Sequence, residues 1–451
     1  MKNKIVYIIL LAATVTCCNE FISVGPPRTE LVRATVFDNV ATAEAAIASI
    51  YSQLRSGGFA SGNTNSISYY GALSSDEVIH FRTSFVEHTD QINENRILPS
   101  NTLISGLWSD LYSVIYKTNS IIEGLEASRS IAESSKKELM GEAKFFRAFA
   151  HFYLVNLWGD VPLITSSDYE SNRFAVRANS SVVYNQIVSD LLDAQQYLPM
   201  QRPDEERVRV RKDAVNLFLA RVYLYLGEWS KAELEATRML DNSLVYQLEP
   251  DPAHVFNKTS KEVVFQLWNN TFPLDRGTWN VSGTTPTSAI LRSEFASVVE
   301  PGDKRWQSWV QNREGSMGEF QFVLKYADLS SPPQQYSTVL RLAEAYLIRA
   351  EARIRQSNIS GGKDDINVIR ERAGLDPVNF TETYDLLQSI EKERMFEFIN
   401  EWGHRWLDLK RTGRADQILT AIKPDWSSDD QLYPIPESQL LLSPLSQNPG
   451  Y

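Results

Sequence analysis

Apolar residues recur at three- and four-residue steps through most of this chain, and this periodicity limits the folds that it can adopt. The first such face ends before Gly57 and comprises Val40, Ala43, Ile47, Ile50, Tyr51 and Leu54. This spacing places the apolar side chains on one side of a helix. Similar faces predict further helices over residues 107–125, 143–157, 182–198, 214–227 and 231–240. Because nothing alternates strand with helix, we expect a mainly α fold with few short strands.

Residues 214–240 have the texture of a tetratricopeptide repeat, in which two helices cross closely at small residues and an aromatic ring fills the groove. The matching positions are Ala220, Tyr223, Gly227, Trp229, Ala232 and Ala236. Looser helix pairs are predicted over 136–198, 336–373 and 382–421, where generic helix packing explains the pattern equally well. We therefore expect a scaffold of tetratricopeptide-like helix pairs, mainly over 35–56, 107–241 and 336–421.

Two long segments, 59–105 and about 250–335, interrupt the helical pattern. They are rich in glycine, proline, serine, threonine and asparagine, with scattered aromatic residues. Only Val263–Trp268 reads as a strand, and its final residue, Trp268, is expected in the core. Long loop-rich insertions often carry function, so the ligand-binding part is predicted in these two segments.

The N-terminus has the layout of a cleaved export signal. Lys2 and Lys4 precede an apolar run from Ile5 to Ala13, which is too short to span a bilayer because a span needs about 20 apolar residues. Cys17 and Cys18 follow directly. A signal that ends at cysteine resembles that of a bacterial lipoprotein, so we expect residues 1–17 to be removed and Cys18 to carry the lipid. Cys17 is the rival anchor, and an ordinary secretory signal is the alternative.

Composition excludes several classes of protein. The chain has no cysteine after Cys18, so a disulfide framework and a thiolate zinc site are excluded. The formal net charge of −11 makes nucleic acid an unsuitable partner. The sequence contains no H-E-x-x-H, G-x-S-x-G, C-x-x-C or G-x-G-x-x-G motif, and His80 and His88 fit no metal-ligand spacing. We therefore expect a binding protein with no enzymatic activity, no cofactor and no metal.

Several blocks together resemble the SusD/RagB family of outer-membrane nutrient-binding lipoproteins. They run in order from the start to the end of the mature chain: Cys18–Ile22, Gly141–Phe149, Trp158–Leu163, Leu340–Ala352, Asn367–Leu375, Glu391–Phe398, Gly403–Gly413, Leu432–Pro436 and Gln447–Tyr451. Each block alone is a weak signal. Their number and order make the resemblance specific, and it covers essentially all of residues 18–451.

The resemblance implies four tetratricopeptide-like helix pairs with the loop-rich segments packed on them. It also implies that the protein binds an oligosaccharide, or less often a peptide, at the outer surface of the outer membrane. The implied partner is a SusC-type TonB-dependent transporter, which the lipoprotein caps. The charged residues of the family blocks are then structural ion pairs rather than ligand contacts: Arg349, Glu351, Arg394, Glu397, Arg405 and Asp408.

Sugar binding requires flat aromatic rings for the apolar face of the pyranose and polar groups for its hydroxyls. The predicted ligand-binding residues are Trp279, Trp309, Trp306, Asp76, Phe81, Arg82 and Tyr70. Further candidates in the same loops are Tyr69, Phe85, Trp268, Asn101, Asn269 and Asn280. The alternative for each aromatic residue is core packing. Two other functions remain open: a tetratricopeptide-like scaffold that binds only protein, and a glycoside hydrolase.

Overall fold

The computed structural model describes residues 33–81, 86–201, 206–271, 273, 281–282, 285–286, 288–315 and 318–451. Its N-terminal half contains the helices Arg33–Val36 (α1), Val40–Ser56 (α2), Ile67–Ser74 (α3), Glu87–Glu94 (α4), Thr102–Ala127 (α5), Glu133–Trp158 (α6), Tyr169–Asn172 (α7), Ser180–Tyr197 (α8), Lys212–Tyr225 (α9) and Trp229–Leu240 (α10). Its C-terminal half contains Ser293–Ser297 (α11), Lys304–Trp309 (α12), Leu342–Arg355 (α13), Ile359–Ala373 (α14), Thr383–Glu397 (α15), His404–Arg411 (α16), Ala415–Ile422 (α17) and Glu437–Leu442 (α18). The predicted mainly α fold is confirmed.

The scaffold is a series of helices in which each packs on the next. Helix α5 contacts α6, α6 contacts α8, and the series continues through α9, α10, α13, α14, α15 and α16. Helices α9 and α10 form the predicted tetratricopeptide-like pair, joined at Gly227, whose φ of 71° is a conformation that glycine adopts without strain. Asparagine side chains cap several of these helices by accepting a backbone N–H, as Asn39 and Asn101 do.

The strands are short and lie in two-stranded antiparallel sheets among the described residues: Val78–His80 (β1), Val161–Pro162 (β2), Arg177–Ala178 (β3), Val263–Leu267 (β4), Val281–Ser282 (β5), Thr285–Pro286 (β6), Ala289–Leu291 (β7), Val310–Gly315 (β8), Gly318–Val323 (β9) and Ser337–Arg341 (β10). Strand β1 pairs with β7, so that Val78 faces Leu291. Strand β4 pairs with β10, and β8 forms a hairpin with β9. Residues 337–341, predicted within a helix pair, are therefore a strand.

A buried charge network joins the scaffold to the loop-rich segments. Glu397 accepts from three arginines, Arg305, Arg341 and Arg372, and each of these side chains is at most 3% exposed. The predicted structural ion pairs are confirmed: Arg349–Asp365, Glu351–Arg411, Arg394–Asp408 and Arg405–Asp76. Buried ion pairs of this kind fix geometry more than they add stability, because desolvation offsets most of the attraction.

The segment 59–105 is more regular than predicted. Helix α3 lies inside it, and all eight of its residues are buried. A helix that is buried on every side has no polar stripe, so its sequence shows no amphipathic period. Strand β1 and helix α4 occupy much of the remainder, and His80, which lies in β1, pairs with Asp90 with 2.9 Å between Nδ1 and Oδ1.

Candidate functional site

The two loop-rich segments meet where β1, β7 and the β8–β9 hairpin come together. The Phe81 backbone N–H donates to the Ser288 carbonyl at 3.1 Å, which extends the β1–β7 pairing by one residue. The Tyr69 hydroxyl donates to the same carbonyl at 3.2 Å. The Phe81 ring contacts the Phe320 ring edge to face, with 5.1 Å between their centres. We call the surface around Phe81, Ser288 and Phe320 the Phe81 surface.

Phe81 is the one predicted aromatic ligand contact that the described residues place at this junction with part of its ring exposed. Phe320, whose ring meets the Phe81 ring edge to face, is buried. The backbone of the neighbouring His80 is also fixed, because its N–H donates to Asn93 Oδ1 at 3.0 Å. Phe81 is therefore a partly exposed ring on a rigid strand end, an arrangement suited to stacking on a sugar.

Asp76 is a structural residue, which contradicts its predicted role as a ligand contact. Both of its carboxylate oxygens accept from Arg405, at 2.7 and 2.8 Å. Burial raises the pKa of Asp76, but the charge and hydrogen bonds of Arg405 outweigh this effect and hold the pKa below its usual value. No oxygen of Asp76 is left without an arginine, so the side chain anchors β1 to helix α16.

Glu77, the next residue, has a raised pKa, whereas that of Asp76 is lowered. Its carboxyl group is buried and accepts from the Asn400 backbone N–H at 3.0 Å. Burial raises the pKa of Glu77 to about 8, and the hydrogen bond from Asn400 lowers it only in part. Glu77 is enclosed by protein, so its raised pKa reflects its place in the core.

Two predicted aromatic contacts are core residues, and their burial contradicts the prediction. Trp309 is 2% exposed, and its indole Nε1 donates to the Pro252 carbonyl at 2.8 Å. Tyr70 lies in the fully buried helix α3 and is 0% exposed. Neither ring can reach a ligand without unfolding its surroundings. The candidate Tyr69 is likewise buried.

The side chain of Trp306 is partly exposed. Its ring stacks on Phe295, with 6.4 Å between ring centres and 21° between planes, and it meets Phe396 edge to face. These two rings cover part of the indole, and the side chain as a whole stays partly exposed. Trp306 therefore packs within the α11–α12 region, in the same helix as Trp309, and its predicted role as a ligand contact stays a prediction.

Trp279 and Arg82 lie outside the described residues, as do Phe85 and Asn280. Their predicted roles as ligand contacts stay predictions. Cys17 and Cys18 also lie outside the described residues, so the lipid anchor stays a prediction as well.

The remaining polar candidates have structural roles. Asn101 caps helix α5 and donates to the His88 carbonyl at 2.9 Å. Asn269 is buried, and its side-chain amide donates to the Leu267 carbonyl at 3.1 Å. Both were chosen from the sequence as polar neighbours of an aromatic platform, and both instead stabilise local backbone.

Sequence reasoning was wrong about Trp268. It was expected in the core, yet it is 47% exposed and stands immediately after the fully buried strand β4. The apolar run Val263–Trp268 gives no sign that its last residue leaves the sheet. The only signal was the following Asn269-Asn270 pair, which is typical of a turn.

The grooves between the scaffold helices contain carboxylates that arginines already bind. Helices α13, α15 and α16 line a groove of about 200 Å³ that includes Glu351, Glu391 and Asp408. Burial raises the pKa of Glu351, but the charge of Arg411 outweighs it, so this carboxyl stays ionised. A general acid in a glycosidase needs the opposite shift.

Across the parts of the chain that the structure describes, no cluster of three or more His, Cys, Asp or Glu side chains is positioned to hold a metal ion. None of the helices described combines the length and apolar composition that crossing a bilayer requires.

Two protein-family models match this chain. A SusD-like model, described as starch-binding and associating with the outer membrane, matches residues 27–224. A model of the SusD family matches residues 322–451. The two matches together include the scaffold helices at both ends of the chain and leave most of the second loop-rich segment unmatched.

Individual relatives agree with these models over the full length. SusD-like protein P25 of Formosa agariphila is 26% identical across 100% of this chain and 99% of its own length. A SusD superfamily protein of Bacteroides vulgatus superposes with a TM-score of 0.80 at 19% identity, covering 92% of this chain and 100% of that one. A laminarin-binding SusD-like protein gives 0.75 at 23% identity, covering 91% and 99%. These structural likenesses show a shared fold.

Proposed function

Because the chain belongs to the SusD/RagB family of glycan-binding proteins, we propose that it captures an oligosaccharide at the cell surface and delivers it to a SusC-type TonB-dependent transporter. The family consists of outer-membrane-associated surface proteins that generally act without catalysis. The same proposal takes Cys18 as the lipid anchor that remains after residues 1–17 are removed. A peptide ligand is the less common variant within the family.

The observation that carries the proposal is the Phe81 surface. It joins the two loop-rich segments on a rigid scaffold and presents a partly exposed aromatic ring at a fixed strand end. An aromatic face binds the C–H side of a pyranose, while nearby polar groups satisfy its hydroxyls. In sequence, Arg82 follows β1 and Trp279 precedes β5, and we propose both residues as further ligand contacts.

Binding at such a surface needs no chemical step. The scaffold contributes rigidity, so little conformational entropy is lost when the ligand binds. Release to the transporter then requires only that the transporter compete for the same ligand or displace the lipoprotein. Moderate affinity suits this task, because a ligand that is held too tightly would not pass on.

A glycan and peptide array probed with the full-length chain tests this function. We expect retention of one class of oligosaccharide, with no new reducing ends released from it. Release of new reducing ends would support a glycoside hydrolase instead. Binding to neither the glycans nor the peptides of the array would contradict the proposal and favour the tetratricopeptide-like scaffold.

A further inference from the structure

A second groove lies between helix α2 and the end of β4, and it shares no lining residue with the Phe81 surface. Its volume is about 330 Å³, within the range of about 300–1,000 Å³ that is typical of small-ligand sites. Its wall includes Tyr51, Ser52, Arg55, Arg209 and Trp268. Ser52 and Arg55 lie one turn apart on α2 and therefore point the same way.

Trp268 is held outward by its neighbours. It follows the last residue of β4, and the buried Asn269 turns back to donate to the Leu267 carbonyl at 3.1 Å. This bond fixes the backbone on either side of Trp268 while 47% of the side chain stays exposed. An indole fixed in this way is a flat apolar platform with little entropy to lose on binding.

Arg55 lies over one face of that platform and supplies hydrogen-bond donors there. Its guanidinium carbon lies 5.5 Å from the centre of the Trp268 ring. Within the described residues, the contact with the Trp268 ring is the one side-chain interaction that the guanidinium of Arg55 makes. Its five N–H groups are therefore available to a ligand, and the exposed hydroxyl of Ser52 can both donate and accept.

The floor of the groove is rigid. The Val210 N–H donates to the Tyr51 hydroxyl at 2.9 Å, and that hydroxyl donates to the buried Glu142. Arg209 Nε donates to the same carboxylate at 2.9 Å. Because Glu142 neutralises Arg209, Arg55 is the uncompensated charge among the five wall residues named above, and its N–H groups can donate to sugar hydroxyls.

We propose that this groove is a second glycan-contacting site, in which the face of Trp268 that Arg55 leaves uncovered stacks on one pyranose ring of a polysaccharide and Arg55 and Ser52 bond its hydroxyls. The inference rests on the proposed function only for the class of ligand. Two separate sites on one protein let a long chain bind twice, and the second contact then forms at a high effective concentration. The Trp268 groove therefore favours polymers over short oligosaccharides.

Fluorine NMR of the full-length chain labelled with 5-fluorotryptophan tests the contact directly. Trp268→Phe assigns the Trp268 resonance, and the probes are laminarin, starch, xylan and mannan together with their hexasaccharides. We expect the Trp268 resonance to shift with at least one probe, and to shift also in Phe81→Ala. A Trp268 resonance that no probe moves overturns the second site. Shifts confined to other tryptophans overturn it while leaving the proposed function intact.

A matched pair of variants measures the contribution to polymer binding. Trp268→Ala should weaken retention in polysaccharide affinity gels about 3- to 10-fold, as expected for the loss of one stacking contact. Tyr384→Ala, which removes an aromatic side chain that is 66% exposed in a different groove, should leave retention unchanged. Trp268→Phe should retain most of the binding. Equal retention of wild type and Trp268→Ala, with unchanged melting temperatures, contradicts the proposal.

Discussion

Arg405 and Asp76 form a two-point ion pair between parts of the chain that are 329 residues apart, with Nε 2.7 Å from Oδ1 and Nη2 2.8 Å from Oδ2. Asp76 precedes β1, the strand that leads into Phe81, and Arg405 lies in helix α16 of the scaffold. The pair therefore fixes the loop-rich segment on the helices. Arg405 also donates to Glu391 at 3.0 Å, so it is held from two sides.

We expect Asp76→Ala to destabilise the protein by roughly 3 kcal/mol, because it leaves the buried Arg405 guanidinium without one of its two carboxylates. Urea unfolding followed by circular dichroism measures the change. The control is Asp425→Ala, which removes an ion pair with Arg96 whose side chains are 63% and 61% exposed, and it should cost less than about 1 kcal/mol. Unchanged stability together with lost glycan binding in Asp76→Ala would make Asp76 a ligand contact after all.

Two tryptophans should respond to substitution in opposite ways. Trp309→Ala should lower the free energy of unfolding by about 3–5 kcal/mol, because it opens a cavity in the core and leaves the Pro252 carbonyl without its donor. Trp268→Ala should change it by less than about 1 kcal/mol, since nearly half of that side chain is already in water. Thermal unfolding of both variants measures the two losses of stability. A similar loss in Trp268→Ala and Trp309→Ala would place Trp268 in the core.

Glu77 makes stability depend on pH. Its pKa is about 8 in the folded protein, whereas an unperturbed glutamate titrates near 4.5. The folded state therefore holds a proton that the unfolded state loses, so the stability due to Glu77 is complete below pH 4.5 and falls as the pH rises toward 8. The fall is at most about 1.4 kcal/mol per pH unit across this window.

Glu77→Gln removes the titration and keeps an oxygen that can accept from Asn400. We compare the melting temperature of Glu77→Gln with that of wild type at two pH values. The difference, variant minus wild type, should be larger at pH 8 than at pH 5. Glu87→Gln is the control, because that carboxylate is exposed at the start of helix α4. A difference between wild type and Glu77→Gln that is the same at both pH values would contradict the raised pKa.

Labelling with a radioactive fatty acid tests the anchor at Cys18. The wild-type chain should incorporate the label, and Cys18→Ala should not. The matched control is Cys17→Ala, which should be labelled like wild type. Label that persists in Cys18→Ala and disappears in Cys17→Ala would move the anchor to Cys17, and no label in wild type would indicate an ordinary secretory signal.

The sequence predicted the scaffold helices well because the apolar period of an amphipathic helix begins and ends where the helix does. The period that begins at Val40 and stops before Gly57 corresponds to the helix Val40–Ser56. Helix Ile67–Ser74 escaped the same reasoning because it is buried on every side and shows no period. Local signals of this kind work where one face meets water, and they fail where tertiary burial surrounds an element.

The candidate site was less predictable for a related reason. Asp76 and Trp309 have residue types that suit a sugar, but each is committed to a distant partner, Arg405 or the Pro252 carbonyl. Trp268 is exposed because Asn269 turns the chain at the strand end, a contact that the apolar run conceals. The pairings of Asp76 and Trp309 join residues far apart in sequence, so no window of sequence contains them.

The central claim is that the loop-rich face binds a glycan while the scaffold only supports it. Isothermal titration calorimetry of the full-length chain with the glycan selected by the array measures this directly, comparing wild type, Phe81→Ala, Trp279→Ala and the control Tyr384→Ala. We expect the first two variants to bind at least about 5-fold more weakly with nearly unchanged melting temperatures, and the control to bind like wild type. Wild-type affinity in both Phe81→Ala and Trp279→Ala would contradict the account.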